Sequence, residues 1–336
     1  MNPISLEKRN KLRIIIFCAL GIFLLLSFFI SISCGAITIT YTDIYTALTG
    51  GGTADTTRIV NVLRLPRTLV TALTGANLAL AGCILQGVLR NPLADPGIIG
   101  VSAGAGLFAM FLMILAPEAM NLVPAAAFIG AVLSTGLVFF LAWEKGINPL
   151  RMILAGVAIA AFFGGGMTAL SVFYSERIQG TVMWMAGGFQ GRSWSHVEMI
   201  LPYSFIGILG TLLCSRQLNA LQLGEEVAKN LGIRVVRIRT LLIILSALLA
   251  ASAVSVAGML GFVGLIVPHI MRLIVGSDHE YLLPCSAISG AVIVTLADTA
   301  ARTLFTPLEV PVGIFMSFLG APFFLYLLTV SYTHLR

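Results

Sequence analysis

The chain has 336 residues, 58% of them hydrophobic and only 10% charged, with a formal net charge of +6. Water-soluble domains carry about 25% charged residues, so this composition cannot clothe an aqueous core and calls for lipid as the solvent. The basic residues sit in short stretches between apolar runs, without the aromatic-interleaved stripe of a nucleic-acid binder, and so carry topology information instead; nucleic acid is excluded as a partner.

At the N-terminus Lys8, Arg9, Lys11 and Arg13 precede an apolar run from Ile14 to Ile32. That run exceeds the roughly 7–15 residues of a cleavable signal core. Ser31-Ile32-Ser33 before Cys34 is a poor lipoprotein cleavage site, so the segment reads as an uncleaved first transmembrane helix. A spanning helix needs about 20 mainly apolar residues. On that measure the sequence predicts spans near 12–34, 65–89, 98–116, 122–143, 150–173, 197–214, 238–257, 260–275, 282–301 and 311–329. The fold class is therefore all-α, a polytopic membrane protein of about ten transmembrane helices forming one domain over 1–336. The eighth span is short and carries Gly261, Gly264 and Pro268. Segment 174–196 is too polar to cross; Trp184, Trp194 and Gly187-Gly188 predict an interfacial helix and a turn there.

An even number of spans puts both termini on one side. With the termini in the cytoplasm, the inner segments hold Lys8, Arg9, Lys11, Arg13, Arg90, Lys145, Arg151, Arg216, Lys229, Arg234, Arg237, Arg239, Arg272 and Arg336. Of the 20 basic residues only Arg58, Arg64, Arg67, Arg177, Arg192 and Arg302 then fall outside. This is the positive-inside asymmetry. The cysteines Cys18, Cys34, Cys83, Cys214 and Cys285 form no CxxC pair and read as small buried hydrophobes. Thr74-Gly75-Ala76, Gly100-xxx-Gly104 and Gly258-xx-Gly261 suit close helix packing. The consecutive Gly164, Gly165 and Gly166 in span five weaken a helix by about 1 kcal/mol each relative to alanine, and predict a bend or moving part.

Four segments carry more pattern than lipid-facing helix needs. Leu63-Arg64-Leu65-Pro66-Arg67 places two arginines about a helix-opening proline at the outer end of span two; gripping carboxylates of an outside partner and snorkelling to lipid phosphates both stay open. The inner turn after span two, with Asn91, Pro92, Leu93, Asp95 and Pro96, is stiff and capped, and reads either as a well-made turn or as a constriction. In the long inner loop 215–239, Leu223, Val227 and Leu231 recur on one helical face, with Glu225, Glu226 and Lys229 on the others and Gly232 as a stop. Adjacent glutamates disfavour anionic lipid, so this surface predicts a protein partner. Last, Asp298 lies inside span nine, where a carboxylate is a functional candidate; Arg302 four residues on favours an i,i+4 ion pair, or helix–helix hydrogen bonding, instead. No GxxxxGK[ST], HExxH or GxSxG motif occurs, and His196, His269, His279 and His334 are scattered. Hence neither an ATP site, a metal site nor an enzyme is expected.

The run LRLPRTLVTALTGANLALAGCILQGVLRNPLADPGIIGVSAGAG from Leu63, followed by LNALQLGEEVAKNLGI, GFVGLIVPHIMR, LADTAAR and EVPVGIFMSFLGAPFFLYLL, resembles the permease family of iron-siderophore, haem and cobalamin ABC importers, the FecCD type. The resemblance covers nearly the whole chain, with several motifs in order. It implies a cobalamin-permease-like fold, as in type II ABC importers, in a bacterial or archaeal cytoplasmic membrane. A second permease copy or homologue would pair with this one, two ATPase subunits would bind inside and use the ATP and Mg, and an exported binding protein would deliver substrate outside. It also assigns roles: ATPase coupling to Leu218, Leu221, Leu223, Gly224, Glu225, Glu226, Val227, Leu231 and Gly232; docking of the binding protein to Arg64, Arg67 and Arg302; and a gate or path to Asn91, Pro92, Leu93 and Gly164–Gly166. Only the ending Ser331-Tyr332-Thr333-His334-Leu335-Arg336 departs from the usual short basic tail. The shared motifs do not name a cargo; a ferric siderophore is expected. A rival from another class is an ion-coupled secondary transporter with Asp298 as proton carrier.

Overall fold

The computed structural model describes residues 6–35, 37, 39–143 and 148–333; Lys145 and the last residues, 334–336, lie outside it. The principal helices are α1 (Leu6–Ser33), α2 (Leu65–Leu89), α3 (Val101–Leu115), α4 (Val123–Ala142), α5 (Pro149–Phe173), α6 (Trp194–Leu213), α7 (Val235–Ala257), α8 (Val263–Val275), α9 (His279–Thr303) and α10 (Val312–Thr333). Among the described residues, seven stretches are long and apolar enough to cross a membrane. Three shorter apolar helices, α3, α8 and the described part of α10, complete the predicted ten. Several bounds move: α1 begins at Leu6, α6 at Trp194, and α8 only at Val263, after a break at Gly258–Phe262. The polar 174–196 segment forms a short helix, Gln179–Met185, and a turn, as expected.

Local chemistry sets the helix starts. Pro66 sits in the first turn of α2. Asn148 Oδ1 accepts from the Leu150 and Arg151 amides ahead of α5, and Asp278 Oδ1 accepts from Glu280 N at the start of α9.

Helix α2 is the centre of the molecule. Its most apolar stretch, with its lead-in, is 89% buried, against 11% for α1 and for α5. It packs on α9, α7, α8 and α6. Glycines permit that density. A Cβ on Gly75 would lie 2.1 Å from the Gly290 carbonyl oxygen of α9, and one on Gly82 would lie 1.9 Å from that of Gly264 in α8. Without a hydrophobic force between helices in lipid, such backbone approach and interhelical hydrogen bonds hold the bundle. Asn77 of α2 donates to Ser204 of α6 at 2.7 Å and Ser252 of α7 at 3.1 Å, and Ser246 donates to Ala81 O at 3.0 Å.

At Gly164–Gly166, where the sequence predicts a bend or moving part, α5 runs as one helix from Pro149 to Phe173. In an apolar medium no water competes for the backbone amides, so the helix persists where glycine would weaken it in water. Cys83, Cys214 and Cys285 are buried as predicted, whereas Cys18 and Cys34 are exposed.

Candidate functional site

The N-terminal end of α2 gathers the first candidate site. A π-helical turn, Arg58–Arg64, leads into α2 and carries Arg64; Arg67 follows one turn later. Arg67 makes a two-pronged contact with Asp298 of α9, Nε to Oδ2 and Nη2 to Oδ1, both at 2.9 Å. Its remaining Nη1 donates to Glu309 Oε2 at 3.0 Å, just before α10. The Asp298 side chain is 3% exposed, so this fork neutralises a carboxylate inside the membrane. The expected i,i+4 ion pair of Asp298 with Arg302 is present at 3.9 Å, longer than the Arg67 contacts. Arg302 also reaches α1, where its Nη2 donates to Ser31 O and, at 3.0 Å, to Ser31 Oγ.

Arg64 makes the same kind of contact. Its Nη1 donates to Ile32 O at 2.7 Å and Ser33 O at 2.8 Å, and its Nη2 donates to Ile37 O. The last carbonyls of a helix lack intrahelical donors, and these two arginines supply them for α1. Arg64 and Arg302 are accordingly only 5% and 7% exposed. Of the three arginines that the resemblance assigns to docking, Arg64 and Arg302 bond to α1, and Arg67 lines a cavity of about 150 Å³ together with Asp298, Glu309, Gln190 and Arg192. Glu309 and Arg192 carried no site assignment from sequence. The visible signal for Glu309 was an acid in an outward segment of a chain whose outer arginines needed counter-charge.

The opposite end of the bundle holds the second candidate. The expected single helix of the long inner loop is two, Ser215–Gln222 and Glu225–Asn230, broken at Gly224, whose φ of +120° suits glycine. Leu218 and Leu221 are fully buried anchors, whereas Leu223, Val227 and Leu231 are 64%, 44% and 61% exposed. An apolar row thus stands on the surface with Glu226 beside it and Gly232 at its end. The Lys229 ammonium, 3.0 Å from Glu225, holds that carboxyl below its usual range, with Arg239 adding to the effect.

Several polar ties join this segment to the bundle, among them Arg216 Nε to Glu280 Oε1 of α9 at 2.8 Å. Asn219 donates to Asp278 Oδ1 at 2.8 Å, and its Oδ1 accepts from the His279 amide and lies within 2.8 Å of His279 Nδ1, all at the start of α9. Arg13 of α1 braces the same corner, donating to Val275 O at 3.1 Å and standing 3.5 Å from Asp278. Arg90, in the left-handed conformation that ends α2, donates from Nε to Leu221 O at 3.0 Å. Immediately after it come Asn91, Pro92 and Leu93, where Asn91 Oδ1 accepts from Leu93 N at 2.9 Å. The candidate gate turn therefore abuts the coupling segment. Gly164 and Gly165 lie elsewhere, on the exposed side of α5, with open space where a side chain would extend, and Gly166 faces Leu107 of α3. No cluster of metal-binding side chains occurs among the described residues.

A bundle of apolar helices with a charged clasp at one end and an exposed apolar row at the other fits a membrane transport subunit. The chain belongs to the FecCD transport family, whose pattern matches residues 23–330. It is 39% identical over 323 residues to the Fe(3+)-citrate import system permease protein YfmE of Bacillus subtilis, covering 96% of each chain. It is 43% identical over 271 residues to the cobalamin import system permease protein BtuC of Halobacterium salinarum, covering 80% of this chain and 73% of that one. The hemin transport system permease protein HmuU of Yersinia pestis is 41% identical over 278 residues, 79% of this chain and 81% of its own. Among solved structures, an inward-facing metal-chelate type ABC transporter superposes with a TM-score of 0.85 at 30% identity, covering 94% of this chain and 98% of that chain. The family consists of transport components, not enzymes.

Proposed function

We propose that this chain, in the cytoplasmic membrane of a bacterium or archaeon with both termini inside, passes a metal chelate inward as one half of an ATP-driven importer, and that its cargo is a ferric siderophore. The observation that carries the reading is the exposed row of Leu223, Val227 and Leu231 on a segment bonded both to the gate turn and to α9. An apolar row beside Glu225 and Glu226 fits a cleft in a separate ATPase subunit, and this chain has no phosphate loop of its own to take that role. A second copy or a homologue would cover the exposed side of α5 and enclose the path near Gly164–Gly166. On the outer face a binding protein would engage the vestibule around Arg67, with Arg64 and Arg302 holding α1 in place behind it.

The ion-coupled alternative loses support from the Arg67–Asp298 fork, because both Asp298 oxygens are already occupied by a fixed counter-charge. The test is uptake of labelled ferric siderophores, haem and cobalamin by cells lacking the gene, with and without its return. Loss and rescue for one ferric siderophore is expected. Loss for haem or cobalamin alone would move the cargo, and uptake driven by a proton gradient in vesicles without the ATPase would overturn the reading.

A further inference from the structure

Arg192 is a guanidinium without a counter-ion. It lies in the turn between the Gln179–Met185 helix and α6. Its Nη1 is 3.2 Å from Nε2 of His196, an imidazole that supplies no negative charge, and its Nε is buried with no partner. No carboxylate pairs with it among the described residues: the two nearest in the same cavity wall, Asp298 and Glu309, are both held by Arg67. Burial first, and the Arg67 charge second, bring the Arg192 guanidinium down to about 10. The neighbouring cavity, about 340 Å³, is lined by Arg64, Arg67, Arg192 and Arg302 against the single carboxylate of Glu309. A half-buried cation facing other cations is left at a cost in desolvation and repulsion that an incoming anion would relieve.

We propose that Arg192 is an anion-binding point of the outer vestibule and that its ligand is a carboxylate arriving from outside the membrane. The cavity of about 150 Å³ that it shares with Arg67 has room for a carboxylate group but not for a whole chelate. The planar donor fork of arginine suits a carboxylate better than it suits a neutral hydroxamate. The carboxylate belongs either to an acidic side chain of a docked protein or to the chelate itself. That last distinction rests on the importer reading; the anion site does not.

The test has two arms. In the first, citrate is titrated into the purified chain in detergent, with tryptophan fluorescence as the readout, since Trp184 lines the same cavity. A saturable response is expected that chloride at equal ionic strength does not reproduce. Arg192→Gln should weaken it about tenfold or more, and Arg192→Lys should weaken it less. In the second arm, uptake of ferric citrate and of a neutral ferric hydroxamate is compared in cells carrying Arg192→Gln. Loss confined to ferric citrate assigns the carboxylate to the chelate; equal loss for both assigns it to a docked protein. Absence of any citrate response in the wild type, or an identical response in Arg192→Gln, overturns the proposal. Failure of the importer reading would show differently, as absent wild-type uptake with the citrate response intact.

Discussion

Asp298 and Arg67 illustrate how a buried charge is made tolerable. A carboxylate 3% exposed receives two N–H groups from one guanidinium, and the guanidinium spends its third donor on Glu309, which is 34% exposed and partly hydrated. Replacing both members of such a pair by apolar groups is often neutral, whereas removing one strands a charge at a cost of about 3–5 kcal/mol. Arg67→Leu is therefore expected to lower the melting temperature of the purified protein sharply, and Arg67→Leu with Asp298→Leu to recover a large part of the loss. Equal losses in the single and double variants would mean that the two side chains are not energetically coupled. The sequence already singled out Arg64, Arg67, Asp298 and Arg302, because ionisable residues are rare in an apolar chain. The i,i+4 pair of Asp298 and Arg302 was legible, but the Arg67 fork and the contacts to α1 were not. Arg64 and Arg302 serve the carbonyl end of α1, some 30 residues distant from Arg64 and some 270 from Arg302, and only the helix arrangement brings those groups together.

At the scale of elements, glycines divide into two kinds that look alike in sequence. Gly82 lies where a Cβ would fall 1.9 Å from the Gly264 carbonyl oxygen, a backbone contact that cannot give way. Gly164 and Gly165 meet nothing within 4 Å. Gly82→Ala should force α2 and α8 apart and remove folded protein, as read by yield and gel filtration in detergent. Gly164→Ala with Gly165→Ala should fold and melt no lower than the wild type, since alanine favours a helix by about 1 kcal/mol per glycine replaced. If that variant folds but loses transport, the open space beside α5 belongs to a partner subunit or to a moving path. If it transports normally, the glycine run has no part in the gate. Helix count and approximate spans were legible because length and hydropathy alone decide what crosses lipid. The continuity of α5 through Gly164–Gly166 was not, since glycine propensities measured in water overstate its effect in an apolar setting. The break at Gly224 was also hidden, because Leu223, Val227 and Leu231 keep helical spacing across it.

For the whole molecule, α9 is the longitudinal member. Its 25 residues span about 37 Å. Asp278 and His279 at its N-terminal end meet Asn219, and Asp298 and Arg302 toward its C-terminal end meet Arg67 and α1. The Ser215–Gln222 helix is thereby fixed to α9 by side chains, Arg216–Glu280 included, and to the candidate gate turn by the Arg90–Leu221 bond. A displacement of the exposed row at Leu223–Leu231 has these short routes into the bundle, and Asn219 is the more buried joint on the α9 route. Asn219→Asp keeps an acceptor for His279 but sets one carboxylate against another at Asp278. Assembled with its ATPase, that variant should hydrolyse ATP yet import several-fold less chelate per ATP. Adding Asp278→Asn restores one donor and one acceptor with their positions exchanged, and should recover the ratio. A merely structural role for Asn219 would lower the melting temperature and hydrolysis together, leaving the ratio unchanged. Recovery of the ratio by the exchanged pair would place the coupling in that contact, and failure to recover it would shift the route to Arg90 and the gate turn.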